Sequence, residues 1–175
     1  MLSRVANSLY WLSRNLERAE NLARMVDVNR YDALDTRSTD PLNPDDPAAL
    51  WRPLLRATCL EESYAEACQG REPLPEVAWF ITFSSDQVES IRECLAMARE
   101  NARTVRDQIS EEMWLELNSF HLFLQSQRAE RLWRAQPEVF YRQVINFCLL
   151  FSGLINATIL HDEGWHFIQA GKFLE

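Results

Sequence analysis

The stretch Ser8–Arg24, SLYWLSRNLERAENLAR, decides how the chain is read. Around it Val5, Leu9, Leu12, Leu16, Ala19, Ala23 and Val26 recur at alternating steps of four and three, which places them on one stripe of a helix facing a partner. A second, polar stripe of Tyr10, Arg14, Glu17, Asn21 and Arg24 runs beside it. The helix should span about Ser3 to Tyr31. The last residues of the chain echo it. With Glu17 laid over Glu175, Leu9 falls on Phe167, Tyr10 on Ile168, Ser13 on Gly171, Arg14 on Lys172 and Leu16 on Leu174. A small residue, a base, a large apolar residue and Glu recur at one spacing, so the pattern reads as an internal repeat beginning near residue 163. The echo stops at Glu175 without a capping Gly or Pro, which predicts a chain cut there, with a second half missing.

A chain of 175 residues, nearly half of them hydrophobic and only four of them Gly, fits one helical globular domain over 1–175. The formal charge of −8 argues against general nucleic-acid binding, which needs a basic surface. Cys59, Cys68, Cys94 and Cys148 form no CxxC pair and follow no secretory signal. Reduced, mostly buried thiols in a cytoplasmic protein are expected. Gln143–Leu160, QVINFCLLFSGLINATIL, carries no charge and just reaches the ~18 residues that suggest a membrane span. Its Gln, Asn, Ser and Thr residues match lipid poorly, so a central helix surrounded by other helices is the reading, with no membrane partner.

The prolines and aspartates of 35–47 predict a long acidic surface loop. Pro53–Cys68 should be a helix, broken by Gly70–Pro75, and Pro75–Phe83 a short apolar one. Asp86 with Glu89 reads as a capping box opening a long helix through Ile109, in which Arg92, Arg99, Arg103 and Arg106 form a basic stripe. Ser110 caps the next helix, with Glu111 and Glu112 at its positive end, and that helix fades near Arg134. Pro137 opens the uncharged helix, where Gly153 and Ala157 would admit a close neighbour. The chain kinks or turns around His161–Gly164. With no sustained strand alternation, the expected architecture is an all-α bundle of about six or seven helices.

Helix one with Glu17–Arg18, the segment Arg99–Asn118 (RENARTVRDQISEEMWLELN) and the terminal GWHFIQAGKFLE (Gly164–Glu175) together resemble the bacterial alpha-E family. That family takes its name from an α-helical fold and a Glu–Arg motif, and its members are considerably longer. The resemblance implies association with an ATP-grasp-type ligase and a transglutaminase-like protein in making or modifying peptides. It brings no established catalytic residues.

The polar set Arg14, Glu17, Arg18, Arg99, Arg103, Arg106, Glu112 and Asn118 has two readings. It could be a guanidinium-lined pocket for a carboxylate or phosphate. The favoured reading is a structural network in which Glu17 and Glu112 neutralise arginines between packed helices. Metal chemistry is weaker: Glu163 and His166 have E-x-x-H spacing, and His161 and His121 could contribute, but di-metal bundles need two such motifs. With no Gly-rich phosphate loop, no cofactor is expected. The function these readings favour is a non-catalytic helical partner of a peptide-modification system. The competing classes are an enzyme, metal-dependent or with a site straddling two halves, and a scaffold covered by another copy of itself.

Overall fold

The computed structural model describes residues 2–35, 49–69, 76–85 and 89–175. The predicted loop at 35–47, the Gly70–Pro75 break and Asp86 lie almost wholly outside these residues. Among the described residues there are nine α-helices and no strand: α1 (Ser3–Asp35), α2 (Arg52–Ala57), α3 (Glu61–Cys68), α4 (Val77–Phe83), α5 (Ile91–Thr104), α6 (Glu111–Leu124), α7 (Gln127–Ala135), α8 (Pro137–Thr158) and α9 (Glu163–Phe173). The class is all-α as expected, with more and shorter helices than six or seven.

Helix α1 is the axis. Its stripe of Leu9, Leu12, Leu16, Ala19, Ala23 and Val26 is buried, and it packs against α5, α9 and α8. Burying each large aliphatic side chain is worth roughly 1.5–3 kcal/mol, so this stripe alone accounts for the gathering of helices around it. A second buried focus lies between α4, α7 and α8. There the Tyr141 hydroxyl meets Thr82 Oγ1 at 2.9 Å and accepts from Trp133 Nε1 at 2.8 Å, among Phe83 and Phe140. Burial pushes the Tyr141 phenol up to about 12, so it stays a neutral donor and acceptor.

The extra helices arise from terminators that composition hides. Pro53–Cys68 divides because Cys59 adopts φ +56°, with Leu60 N–H donating to Leu55 C=O at 2.8 Å and Cys59 N–H to Arg56 C=O at 3.1 Å. This is a Schellman termination with Cys in the place Gly usually takes, and buried Leu60 supplies its apolar contact. The predicted Asp86–Glu89 capping box is replaced by Ser90, whose hydroxyl accepts from Glu93 N–H at 3.2 Å, and the helix it opens ends at Thr104, short of Ile109. Ser110 caps α6 as expected, accepting from Met113 N–H at 3.2 Å. That helix stops at Leu124, and α7 intervenes before Pro137 opens α8. Asp162 turns the chain into α9 by accepting from Gly164 N–H at 2.8 Å.

Two expectations about α8 change. It is long and apolar enough to cross a membrane by length and composition, but only 39% of its most apolar stretch is buried. It is therefore not enclosed by other helices; Leu149, Leu150, Gly153 and Ala157 are exposed. A Cβ built on Gly153 meets nothing within 4 Å, so among the described residues no close helix crossing occurs there. The close crossing is at Gly171, whose added Cβ would lie 2.2 Å from the Tyr10 carbonyl oxygen and 3.2 Å from the Arg14 nitrogen. Both obstacles are backbone, so α1 and α9 must separate to admit any side chain. Gly171→Ala should lower stability by about 1–3 kcal/mol in urea titrations. Gly153→Ala, in open space, should leave it unchanged or raise it by up to about 1 kcal/mol. Equal effects of the two substitutions would contradict this packing.

Candidate functional site

The predicted polar set separates into two places. Arg14, Glu17 and Arg18 lie along the α1–α9 seam; Arg99, Arg103, Arg106 and Asn118 lie on α5, α6 and the turn between them. Among the described residues no hydrogen bond or ion pair joins the two groups. Glu112 belongs to neither: it is exposed in the first turn of α6, where its own backbone N–H and the Ser110 hydroxyl hold its carboxyl below the usual range.

At the seam the two helices run in the same direction. One end of the groove between them is lined by Ser3, Ala6, Asn7 and Tyr10 from α1 and Glu163, His166 and Phe167 from α9. At the other end Arg14 and Arg18 reach Glu175. The repeat read from the sequence is therefore a spatial pairing. On each helix the positions spaced four, three and four apart meet the seam: Ala6, Tyr10, Ser13 and Glu17 on α1, and Gly164, Ile168, Gly171 and Glu175 on or just beyond α9. This is the heptad spacing of helices that wrap around one another.

The two carboxylates of the repeat have reciprocal neighbours. Arg14 Nε donates to Glu175 Oε2 at 2.8 Å, and Arg18 donates Nε and Nη2 to the same carboxylate. Arg18 Nη1 also reaches Glu89 Oε1 at 2.9 Å, tying in the turn before α5. Burial opposes the Arg18 charge, but Glu175 and Glu89 outweigh it and hold the pKa above the ordinary value. Arg14 is raised too, chiefly by its hydrogen bond to the Tyr10 hydroxyl, and its guanidinium lies over the Tyr10 and Trp11 rings. On the other side Lys172, which overlies Arg14 in the repeat, stands near Glu17. Both line a small, partly open cavity of about 20 Å³ with Ser13, Glu20, Cys148, Ser152 and Gln169, and Lys172 Nζ donates to Ser152 Oγ at 3.1 Å. That volume holds one water molecule, not a substrate.

Arg14 and Arg18 are engaged by Glu175 and Glu89, while Glu17 stands near Lys172 and away from the Arg99–Arg106 group.

On α5 and α6, Arg99 and Arg106 place their guanidinium carbons 5.4 and 5.7 Å from the Trp114 ring centroid. Arg99 Nε donates to Asn118 Oδ1 at 2.8 Å, and Glu100 accepts from both Arg99 and Arg103. The Arg103 side chain is 68% exposed. Trp114 organises this surface, and the arginine spacing alone could not reveal it. Helical spacing puts Arg99 and Arg103 on one face, but the ring that Arg99 shares with Arg106 comes from the next helix.

The histidines do not converge. His121, on α6, has a buried Nδ1 without a partner, and burial followed by the Arg99 charge lowers its pKa. His161 stacks on Trp165 at 4.4 Å, while Glu163 and His166 line the groove beside Tyr10. Among the described residues no group of three or more His, Cys, Asp or Glu side chains gathers as a metal site would require. Cys94 and Cys148 are buried, and burial pushes Cys94 up to about 12 and Cys148 higher still, which makes both poor nucleophiles. Cys68 is half-buried and Cys59 exposed, so the expectation of mostly buried thiols holds for two of the four.

The Alpha-E family, described as a predicted alpha-helical domain with a conserved ER motif, matches residues 1–175. The chain belongs to the Alpha-E family. The Glu–Arg pair read in helix one, Glu17–Arg18, divides between the cavity beside Lys172 and the Glu175–Glu89 bridge. An uncharacterised protein of Mycobacterium bovis is 27% identical over 183 residues, covering 98% of this chain and 21% of the relative. Uncharacterised proteins of two Mycobacterium tuberculosis strains match over the same 183 residues at 27% and 26% identity. The chain thus spans about a fifth of the length of the curated relatives it matches. No solved structure matches.

Burial raises the Glu17 carboxyl above its ordinary value, and Lys172 only partly offsets this. The fold therefore prefers the protonated acid. Stability falls as pH rises from the ordinary carboxylate range through the raised native value, and the deficit is constant above it. Glu17→Gln should melt higher than the parent chain at pH 7, with the gap closing at pH 3–4. A gap independent of pH in thermal melts would contradict a buried, unevenly compensated Glu17.

Proposed function

We propose that this Alpha-E domain is a helical accessory module that positions a partner enzyme or its substrate. The partners are an ATP-grasp-type ligase and a transglutaminase-like protein acting in peptide synthesis or modification in the cytoplasm. The observation that carries the reading is the relation to the mycobacterial relatives: the whole domain corresponds to 21% of much longer polypeptides, as expected of a module working beside other parts of a chain. The chemistry of the helices is consistent with that role. Arg14 and Arg18 are engaged by Glu175 and Glu89; the cavity beside Glu17 and Lys172 holds no more than a water, and a cleft of about 300 Å³ opens beside Arg18, Glu89 and Glu175. Arg103 is displayed outward beside half-buried Arg106 and Trp114, residue types that dominate the binding energy of protein interfaces. A ligase surface presenting carboxylates opposite Arg103 would complete this contact.

Arg103→Glu tests it. The residue is exposed and pairs only with Glu100 among the described residues, so the substitution should cost the fold no more than about 0.5 kcal/mol. In pull-down against the ATP-grasp-type ligase, the parent chain should retain the ligase and Arg103→Glu should lose at least tenfold of it. Undiminished retention would remove this face from the account.

A further inference from the structure

Asn146, Leu149, Gly153 and Asn156 recur along α8 at steps of three, four and three, and all four are exposed. That is the spacing with which one helix meets another along a narrow seam. On α1 and α5 the residues that keep this rhythm are buried, from Leu9 to Val26 and from Ile91 to Ala102. Helix α8 turns Phe140, Val144, Phe147 and Phe151 inward and carries this second stripe on its outer side. Leu149 and Leu150 are each 50% exposed, and exposed Ala157 extends the apolar edge. Residues 143–160 hold no charge, in a chain of net charge −8. Among the described residues nothing approaches the middle of the stripe, where a Cβ added to Gly153 would meet no atom within 4 Å.

The stripe is complementary to itself when reversed. Two copies of α8 laid antiparallel, with the two-fold axis level with residue 151, set Leu149 of each against Gly153 of the other and Asn146 of each against Asn156 of the other. Each leucine then fills the gap left by an absent side chain, and each amide meets an amide that can both donate and accept. Exposed Arg142, at the start of the stripe, is carried toward exposed Asp162 beyond the end of the other copy's helix. A parallel pair would set Arg142 against Arg142, leucine against leucine and glycine against glycine, with like charges together and a void in the seam.

We propose that the outer face of α8 is the docking surface for a second copy of this chain, joined through an antiparallel α8–α8 pair. The stripe supplies its own complement, which is why a second copy fits it better than an unrelated helix. A lipid surface fits it less well, because Asn146 and Asn156 would leave water there without a partner. One helix pair is a small interface, so the dimer should dissociate at on the order of 10–100 µM. None of these residues takes part in the Arg103 contact, and each proposal is tested by substitutions that leave the other unchanged.

Sedimentation equilibrium of the 175-residue chain across that concentration range should show monomer passing to dimer. Leu149→Glu, at a half-exposed position, should keep the parent's melting temperature and weaken dimerisation at least tenfold. Two double variants read the direction of the helices. Asn146→Glu with Asn156→Lys makes opposite-charge pairs when the helices run antiparallel, and should dimerise within threefold of the parent or more tightly. Asn146→Glu with Asn156→Glu sets like charges together and should weaken the dimer at least tenfold. Arg103→Glu should leave the equilibrium unchanged. A parent chain that stays monomeric, a dimer undiminished by Leu149→Glu, or equal effects of the two double variants would overturn the proposal. So would a monomer that binds phospholipid vesicles and loses them in Leu149→Glu, which would give the face to a membrane.

Discussion

The Glu175 carboxylate, shared by Arg14 and Arg18, fixes how two parallel helices meet, and the rest of the fold is arranged about that meeting. Parallel helices align their dipoles and so gain nothing from end-to-end attraction; the seam must be held by side chains and by close approach. Here both are present. Gly171 lets the backbones touch at Tyr10 and Arg14, and the carboxylate closes the seam one turn further on. With about a quarter of each arginine side chain and 11% of the Glu175 side chain exposed, the bridge lies between the surface and interior regimes. Its net worth is about 1–2 kcal/mol, less than a fully buried pair would cost to break.

Adjacent residues on a helix point about a third of a turn apart, and the Glu–Arg pair uses that divergence. Glu17 faces α8 and α9 and shares its cavity with Lys172. Arg18 faces the other way, joining Glu175 to the turn before α5 through Glu89. One dipeptide thereby contacts three of the segments packed on α1. The pair lies where α1 meets α8, α9 and the turn before α5.

The helical class, the α1 stripe, the Ser110 cap and the Pro137 start were legible because each depends on local spacing. The two stretches aligned in the sequence lie side by side, with Gly171 against Tyr10 and Glu175 on Arg14 and Arg18. Other features depended on distant contacts or on unusual choices of residue. Cys59 ends α2 in a conformation that sequence rules assign to Gly. Ser90 lies within a plausible run from Asp86, so the true cap was hidden by a rival. The arginines of α1 and α5 share a helical rhythm and looked like one cluster, but they separate because each set meets a different partner, Glu175 or Trp114. Gly153 and Gly171 look alike in sequence; only the neighbouring backbone distinguishes an open position from a crossing point.

The most direct test of the account is a double-mutant cycle on Arg14 and Glu175, using Arg14→Gln, Glu175→Gln and the pair, each unfolded in urea at low salt. A parallel seam closed by this bridge predicts a coupling of about 1 kcal/mol that shrinks as salt is added. A coupling of zero at every ionic strength would mean that the two side chains do not meet, and the parallel pairing of α1 with α9 would fall with them.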